Sequence, residues 1–311
     1  MRISIRFLLL AAALAWAAAC GGSIQDAFPV NGAAVADADG ELSVKTGTLN
    51  ANETWSGHIV IRGEAELPEG AALTIERGTR IHFDAESSPA SKLIVRGELY
   101  VQGDADAPVS FIAAPRSRKW HGALMEPGSS GRFLHARFTA AKAHIRSSSV
   151  QAQFCQFENA SVHAALAVEA SAPLIEDCRF LGNDAAIQCD RQASPEILNN
   201  TIAGNVWGVL CDNGSDAIIE RNFIGNNRET GVLCRGASSP QIRSNNIARN
   251  GGYAVKDGGR LDDNFIQGNN GAHPAAVEKS LNTQGQQVNG VEEIVNARSA
   301  QHLEAGDRLF R

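Results

Sequence analysis

The sequence predicts an all-β solenoid, in which short strands wind through successive coils of about 22 residues. Three observations support this prediction. A repeat of that length runs from about Phe133 to Asn270, aliphatic residues recur at equivalent places, and β-branched residues alternate with polar ones between Gly, Asn and Pro turns. Helical repeats need about 33 residues or more, so each unit has room only for strands and turns.

The repeat arranges apolar residues in three columns. Residues 173–189, 195–211, 216–234 and 240–257 form four successive units, in which equivalent residues are 22 or 23 positions apart. Stacked at about 4.8 Å, like residues lie on like, and each buried Ile or Val stabilises the fold by roughly 1.5 to 3 kcal/mol. The columns are Ile175, Ile197, Ile219 and Ile242; Phe180, Ile202, Ile224 and Ile247, preceded by Phe138 and Phe157; and Ile187, Val209, Val232 and Val255, preceded by Leu166.

A polar column accompanies the aliphatic ones and consists of Asn200, Asn222, Asn245 and Asn264. An Asn at a tight inward turn can itself adopt the left-handed backbone region, and its amide can donate to the Asn of the next coil. Turn geometry explains every one of these positions. We therefore interpret the column as architecture and not as catalytic machinery.

The opening coils add strands and Gly turns, and Trp55 and Trp120 each stand two residues before a Gly. With the asparagine column, this pattern resembles the right-handed parallel β-helix repeat proteins that bacteria export, which have the pectate-lyase-like fold. The resemblance covers about residues 47–270 and implies a right-handed parallel β-helix with an asparagine ladder. That family includes lyases, hydrolases, epimerases and adhesins, so the resemblance names no function.

The first residues have the layout of a secretory signal. Arg2 and Arg6 precede an apolar run that ends at Ala19, and no later segment has the roughly 20 apolar residues of a membrane span. The stretch from Ala17 to Cys20 resembles a bacterial lipobox, although Ala17 stands where Leu is usual, and this implies lipidation of Cys20. An ordinary small-x-small cleavage site, which would yield a soluble periplasmic or extracellular protein, is the alternative.

These features predict four segments. Residues 1–19 are the signal peptide, 20–41 a lipid-anchored flexible linker, 42–275 the β-helix, and 276–311 a polar cap or tail, with a disordered extension as the alternative. A net charge of −6 does not favour nucleic acid. We expect no cofactor, a polysaccharide or envelope protein as partner, and membrane contact only through the lipidated N-terminus, at the periplasmic side of the outer membrane or at the cell surface.

Five cysteines besides Cys20 fall on two inward columns. Cys155 and Cys178 are equivalent, and Cys189, Cys211 and Cys234 follow one another at the repeat spacing. They can be buried hydrophobic residues, one or two disulfides of an oxidising compartment, or a soft-metal site. We interpret them as core residues and predict no metal site, because they lack the ligand spacing of a tight turn.

Two sets of residues are candidates for a functional surface. Asp190, Asp212 and Arg235 each follow the second Cys column by one position, so they could line one ridge, although charged residues in turns are usually only solvated. Trp207 and Tyr253 stand two coils apart and could stack on sugar rings, or pack at a turn. We predict a non-catalytic envelope scaffold that binds a glycan or a protein. The alternative is a polysaccharide lyase or glycoside hydrolase that uses the ridge.

Overall fold

A computed structural model describes residues 42–87, 89–114, 121–161 and 163–271. Within these ranges every regular element is a β-strand, and the strands pair in parallel from coil to coil. The predicted all-β solenoid is therefore confirmed. No helix in this part of the chain has the length and apolar character needed to cross a bilayer. The predicted signal peptide, linker, Cys20 and segment 276–311 lie outside the described residues.

The described chain contains 29 strands, most of them three to six residues long. The first ten are β1 (Leu42–Thr48), β2 (Glu53–Trp55), β3 (His58–Leu67), β4 (Ala72–Glu76), β5 (Arg80–Phe83), β6 (Lys92–Val95), β7 (Glu98–Gln102), β8 (Val109–Ile112), β9 (Gly122–Met125) and β10 (Ser130–Leu134). The next ten are β11 (Ala136–Thr139), β12 (Lys142–Ile145), β13 (Val150–Gln153), β14 (Gln156–Glu158), β15 (Ala164–Glu169), β16 (Leu174–Glu176), β17 (Arg179–Leu181), β18 (Ala185–Asp190), β19 (Glu196–Leu198) and β20 (Thr201–Ala203). The last nine are β21 (Trp207–Cys211), β22 (Ile218–Glu220), β23 (Phe223–Gly225), β24 (Val232–Cys234), β25 (Gln241–Arg243), β26 (Asn246–Ala248), β27 (Val255–Lys256), β28 (Arg260–Asp262) and β29 (Phe265–Gln267).

The strands form three parallel rows that run the length of the solenoid. Row 1 contains β6, β9, β12, β15, β18, β21, β24 and β27; row 2 contains β5, β8, β11, β14, β17, β20, β23, β26 and β29. Both rows join at β3, which pairs with β1, β5 and β6, and so make one 19-stranded sheet. Row 3 is the ten-stranded sheet of β2, β4, β7, β10, β13, β16, β19, β22, β25 and β28. In the regular coils the chain passes from row 3 to row 2 and then to row 1.

The core is the stack of inward side chains from the three rows. The predicted aliphatic columns pair in register, as in Ile175 with Ile197 and Val209 with Val232, and their members are buried. In the earlier coils the second column is aromatic. Its rings are nearly parallel, with centroids 4.5 to 4.7 Å apart along the series Phe111, Phe138, Phe157 and Phe180.

The corner between rows 3 and 2 holds the predicted asparagine column as a continuous ladder. Nδ2 of Asn200 donates to Oδ1 of Asn222 at 3.0 Å, Asn222 donates in the same way to Asn245 at 3.0 Å, and Asn245 to Asn264 at 2.9 Å. The backbone N–H of each donating residue also reaches the same oxygen. The ladder thus satisfies buried backbone groups at the corner.

One detail of the ladder prediction is wrong. The ladder residues do not have left-handed backbones, since the positive φ belongs to the residue before each of them: +54° at Asn199, +56° at Arg221, +53° at Ser244 and +48° at Asp263. The left-handed residue makes the turn and is itself exposed, and the side chain of the next residue is buried in the corner. The inward Asn is selected for its amide, whereas the tolerance for positive φ is required one position earlier.

A second asparagine ladder occupies the corner between rows 2 and 1, and the sequence reasoning missed it. Its rungs are Asn183, Asn205, Asn227, Asn250 and Asn269, joined by Nδ2 to Oδ1 hydrogen bonds of 2.8 to 3.1 Å. The signal was present in the sequence, because these residues follow the repeat spacing five positions after the first ladder or its equivalent place. Each coil from 183 onward is therefore held at two corners.

The five described cysteines are free and buried, so the disulfide interpretation is wrong for the described residues. Cys189, Cys211 and Cys234 pair in register as an inward column of row 1. Cys155 and Cys178 occupy the first ladder's column in the coils before it begins, since the N–H of Cys178 donates to Oδ1 of Asn200 at 2.8 Å. Thiols and amides thus fill the same corner in different coils.

Candidate functional site: the outer face of row 1

The predicted ridge residues lie side by side on the outer face of row 1. Nε and Nη2 of Arg235 donate to the two carboxylate oxygens of Asp212 at 2.7 and 2.9 Å, which is a bidentate ion pair between adjacent coils. Asp190 does not join this pair; it accepts from Nδ2 of Asn213 at 2.7 Å. The structure therefore brings two of the three ridge residues into contact and places the third beside an amide.

Trp207 and Tyr253 lie on the same face as the ridge, toward the other end of the strands. The N–H of Gly208 donates to the carbonyl of Thr230, and that of Gly231 to the carbonyl of Tyr253, so the two aromatic residues are in register with Thr230 between them. At one coil rise of about 4.8 Å, their backbones are about 10 Å apart along the axis. In the sequence these two residues and the ridge are separate candidates, whereas the fold places them on one surface.

The two aromatic side chains differ in how much ring surface is open. Trp207 is 37% exposed. Tyr253 is half-buried, with the Lys256 ammonium 5.4 Å from the ring centroid and with Gly271 packed so closely that a Cβ there would lie 2.7 to 2.9 Å from ring carbons. Trp207 therefore offers the more accessible stacking surface, and Tyr253 is partly occupied by the protein's own contacts.

An apolar floor separates the aromatic residues from the ridge. Ala164, Ala185 and Leu210 form a small hydrophobic cluster outside the main core, with Leu233 packed against it. Leu210 and Leu233 pair in register on neighbouring coils. The signal for this floor was the repeated Val-Leu-Cys of residues 209–211 and 232–234, in which alternation points the Leu outward.

A network of charges continues this face into the earlier coils, and the sequence reasoning missed it. Nε2 of His144 lies 3.1 Å from Oε2 of Glu169, and Nη1 of Arg146 lies 2.7 Å from Oε2 of Glu126. Arg191 also pairs with Glu169, and Nε of Arg146 is 3.9 Å from it. The signal was the alternation of Lys142, His144 and Arg146 in and directly after β12, with acidic residues at the same face of neighbouring coils.

Burial shifts the pKa of two groups in this part of the face. It lowers the pKa of His144, the Arg146 charge lowers it further, and Glu169 partly opposes the shift. Burial also lowers the pKa of Lys142, which is only 2% exposed, while the Asp184 charge acts in the opposite direction. His144 is therefore a neutral imidazole at pH 7, held against a carboxylate.

The arrangement combines three kinds of group on one surface. Side chains that donate and accept hydrogen bonds are fixed by their own contacts along one edge, an aromatic ring stands at the other edge, and leucines lie between them. Within the residues that the structure describes, no group of three or more His, Cys, Asp or Glu side chains is placed to hold a metal ion.

Three parallel rows, inward columns and asparagine ladders give the described chain the fold of a right-handed parallel β-helix. Residues 141–285 match the family model for the right handed beta helix region, and both ladders lie within that match. No curated protein is similar enough in sequence to count as a relative.

Solved structures with the same fold include the periplasmic alginate epimerase AlgG, with 13% sequence identity and a TM-score of 0.53. A mutant form of that epimerase gives 14% identity and a TM-score of 0.52. In both cases the match covers 66% of this chain and 57% of the epimerase chain. At this level of identity the likeness shows the fold alone.

Proposed function

We propose that this protein binds a polysaccharide along the outer face of row 1 without modifying it, as an exported scaffold anchored to the cell envelope through Cys20. The observation that carries the proposal is the composition of that one face. It combines an exposed Trp207, the apolar floor of Leu210 and Leu233, and the Asp212–Arg235 pair. These are the three kinds of group that recognise sugars, which have apolar ring faces and hydroxyl edges.

The direction of the face suits a linear polymer. Trp207 and Tyr253 repeat along the solenoid axis, and the rise of about 4.8 Å per coil is close to the length of one pyranose residue in an extended glycan. A chain lying parallel to the axis would meet Trp207 on one side and the ridge on the other. The rigid coils would hold these groups before the ligand arrives, which lowers the entropic cost of binding.

The paired state of the ridge supports binding over catalysis there. Hydrolysis by two carboxylates requires an acid and a base or nucleophile on opposite sides of one bond. Asp212 is instead held by both nitrogen donors of Arg235, and Asp190 by Asn213. Such groups are fixed hydrogen-bonding partners for hydroxyls.

The fold comparison adds support of a more general kind. The similar solved structure is named as a periplasmic enzyme that acts on alginate, a polysaccharide. An exported β-helix with a polysaccharide ligand is consistent with the signal-like layout of the first residues and with the lipobox-like site at Cys20.

Retention and turnover measured together test the proposal. The purified protein is applied to immobilised alginate and to immobilised neutral glucans, and the eluates are assayed for new reducing or unsaturated ends. We expect retention without product, and a loss of at least about tenfold in affinity for Trp207→Ala. Tyr253→Ala should weaken binding less, because its ring is already engaged by Gly271 and Lys256.

Tyr100→Ala is the matched control, since Tyr100 is 39% exposed but lies on row 3. Equal losses for Tyr100→Ala and Trp207→Ala would show that the row 1 face is not the binding surface. Absence of retention on every polysaccharide, with capture of an envelope protein instead, would replace the glycan by a protein partner.

The anchor has its own test. Cys20→Ala should move the protein from the membrane fraction to the soluble fraction and abolish labelling by a radioactive fatty acid. A wild-type protein that is already soluble and unlabelled would remove the lipoprotein part of the proposal and leave the binding part unaffected.

A second candidate function is modification of the bound polysaccharide. The observation that favours it is the contact between Nε2 of His144 and Oε2 of Glu169 beside Arg146, which brings a neutral base, a carboxylate and a guanidinium together on the same face. If this candidate is right, the retained polysaccharide will yield product with the wild type and none with His144→Ala, while retention stays unchanged.

A further inference from the structure

A stacked pair of aromatic rings stands at the corner between rows 3 and 2, away from the face of row 1. His135 follows β10 and Phe154 follows β13, one coil later, and their ring centroids are 5.0 Å apart with an interplanar angle of 15°. Phe154 is 45% exposed, more than Trp207. The pair therefore presents aromatic surface to solvent, most of it from Phe154.

Both residues of the pair have left-handed backbones, with φ of +46° at His135 and +55° at Phe154. In later coils the same turn position carries Asp177, Asn199, Arg221, Ser244 and Asp263, all with positive φ. Asp and Asn tolerate this region, whereas for a bulky aromatic residue it is an outlier. Phe154 thus has two unfavourable features, a left-handed backbone and an apolar ring that is exposed to water.

The fold does not require aromatic residues at this corner. Two coils later a polar pair fills the same two places, where Nδ2 of Asn199 donates to Oδ1 of Asp177. The turn is equally well closed there without any exposed ring. Strain that the architecture does not need is characteristic of sites kept for binding.

Polar side chains with fixed hydrogen bonds flank the two aromatic residues along the chain, since Arg137 follows His135 by two positions and Gln153 directly precedes Phe154. Nε and Nη2 of Arg137 donate to Oε1 of Gln156 at 3.2 and 2.9 Å on the row 2 side. On the row 3 side, Nε2 of Gln153 donates to Oε2 of Glu176 at 2.8 Å. Amide and guanidinium groups therefore lie on the two strands that lead into and out of the aromatic corner.

We propose that His135 and Phe154 form a second saccharide-binding platform, which stacks on the apolar face of a sugar ring while Arg137 and Gln153 contact its hydroxyl groups. This site goes beyond the function proposed for row 1 and does not depend on it. A flat ring with a polar rim matches the shape and polarity of a pyranose. A protein partner would need a much larger apolar area for a stable interface. The outward neighbours on row 3, Arg132 and Gln151, are instead exposed and polar, so a saccharide fits this corner better than a protein.

Replacing Phe154 separates binding from folding. Phe154→Asn introduces the residue that the backbone prefers, so we expect the melting temperature to stay the same or rise. The purified full chain is titrated calorimetrically with short oligosaccharides of glucose, mannose, galactose and uronic acids. For the oligosaccharide that binds the wild-type corner, we expect Phe154→Asn to weaken affinity at least about tenfold.

Phe154→Trp provides the rescue, since it keeps an aromatic face and adds a fluorescent reporter at the site. It should bind within about threefold of the wild type, and its emission should change on titration. Arg221→Asn, at the equivalent turn position, is the matched control and should leave affinity unchanged.

Two results would overturn the proposal. One is an affinity for every oligosaccharide that is the same in Phe154→Asn and wild type; the other is a peptide ligand that binds the corner while no saccharide does. The two sites are distinguished by Trp207→Ala. Loss of binding in that variant alone would leave the row 1 face as the glycan site, and loss in Phe154→Asn alone would leave the corner.

Discussion

The coils before Asn200 and the coils from Asn200 onward fill the same corner with different chemistry. In the earlier coils the ladder column holds Cys155 and Cys178, and the adjacent inward column holds stacked Phe rings. In the later coils the ladder column is Asn and the adjacent column is Ile. Thiols therefore occur with phenyl rings, and amides with aliphatic side chains.

The two arrangements differ in the number and strength of the hydrogen bonds they make. Nδ2 of Asn222 donates to the carbonyls of Ile197 and Glu220 at 2.8 and 3.0 Å, in addition to its ladder partner. The Sγ of Cys178 donates only at longer range, 3.4 Å to the Ala152 carbonyl and 3.2 Å to that of Glu176. A thiol is a weak donor. The later coils thus depend on directed polar contacts and the earlier ones on packing.

The largest expected effect is at a central rung. Asn222→Ala removes an amide whose oxygen accepts from both nitrogens of Asn200 and leaves several buried backbone groups without a partner. We expect the free energy of unfolding to fall by about 3 to 5 kcal/mol, measured by urea denaturation.

Gln241→Ala is the control for that rung, because it removes an exposed amide from row 3 and should change stability by less than about 0.5 kcal/mol. A similarly small effect of Asn222→Ala would mean that the ladder does not stabilise the later coils, and the contrast between the two regions would then be one of composition only.

The next effect concerns the aromatic column. Phe157 stacks on Phe138 and on Phe180, each with centroids 4.7 Å apart. Phe157→Ile gives this column the side chain of the later coils, but it removes both ring contacts and leaves unfilled volume. We therefore expect the free energy of unfolding, measured by thermal denaturation, to fall by about 2 kcal/mol. Ile224→Val, in the same column of the later coils, should lose only about 1 kcal/mol. Equal losses would show that ring stacking adds nothing specific to the earlier coils.

The fold was predictable because its determinants repeat. Ile175 and Ile197 recur at the period of one coil, and a period is visible in a single sequence. The corner geometry was less accessible: positive φ at Asn199 and inward direction at Asn200 are properties of two adjacent residues, and the sequence alone does not show which of them takes which role. The second ladder was visible by spacing and was overlooked.

The candidate face on row 1 was only partly predictable, because it depends on which residues of neighbouring coils lie side by side. That Asp212 and Arg235 are adjacent follows from the repeat, but the bidentate contact depends on side-chain direction. The open ring of Trp207 and the covered ring of Tyr253 depend on what lies against each one, and for Tyr253 this includes Gly271, in the next coil. Contacts of this kind do not repeat from coil to coil, so a repeating sequence pattern does not reveal them.

Alkaline pH offers an effect of similar size that involves a buried thiol of the earlier coils. Burial, together with the neighbouring Cys155 thiol, raises the pKa of Cys178 well above the ordinary 9.0. Because the folded state then holds a proton that the unfolded state loses, stability is complete below pH 9 and falls above it, by about 1.4 kcal/mol per pH unit for such a thiol.

We expect Cys178→Ala to be less stable than the wild type at pH 7, and to lose less stability than the wild type between pH 9 and 10.5, in parallel urea titrations. An identical loss in both proteins would indicate that other groups produce the alkaline transition and that the earlier coils owe no pH dependence to this thiol.

The smallest effect tests whether the two regions are interchangeable. The N–H of Cys178 already donates to Oδ1 of Asn200, as the N–H of Asn200 does to Asn222. Cys178→Asn would add a rung, with its amide donating to Asn200 and its oxygen accepting from the N–H of Cys155. We expect its free energy of unfolding, measured by urea denaturation, to lie within about 1 kcal/mol of the wild-type value. It should also be higher than that of Cys178→Ala. A Cys178→Asn protein less stable than Cys178→Ala would mean that the Phe column leaves no space for an amide, so that each region's ladder residue is set by the ring or aliphatic side chain packed beside it.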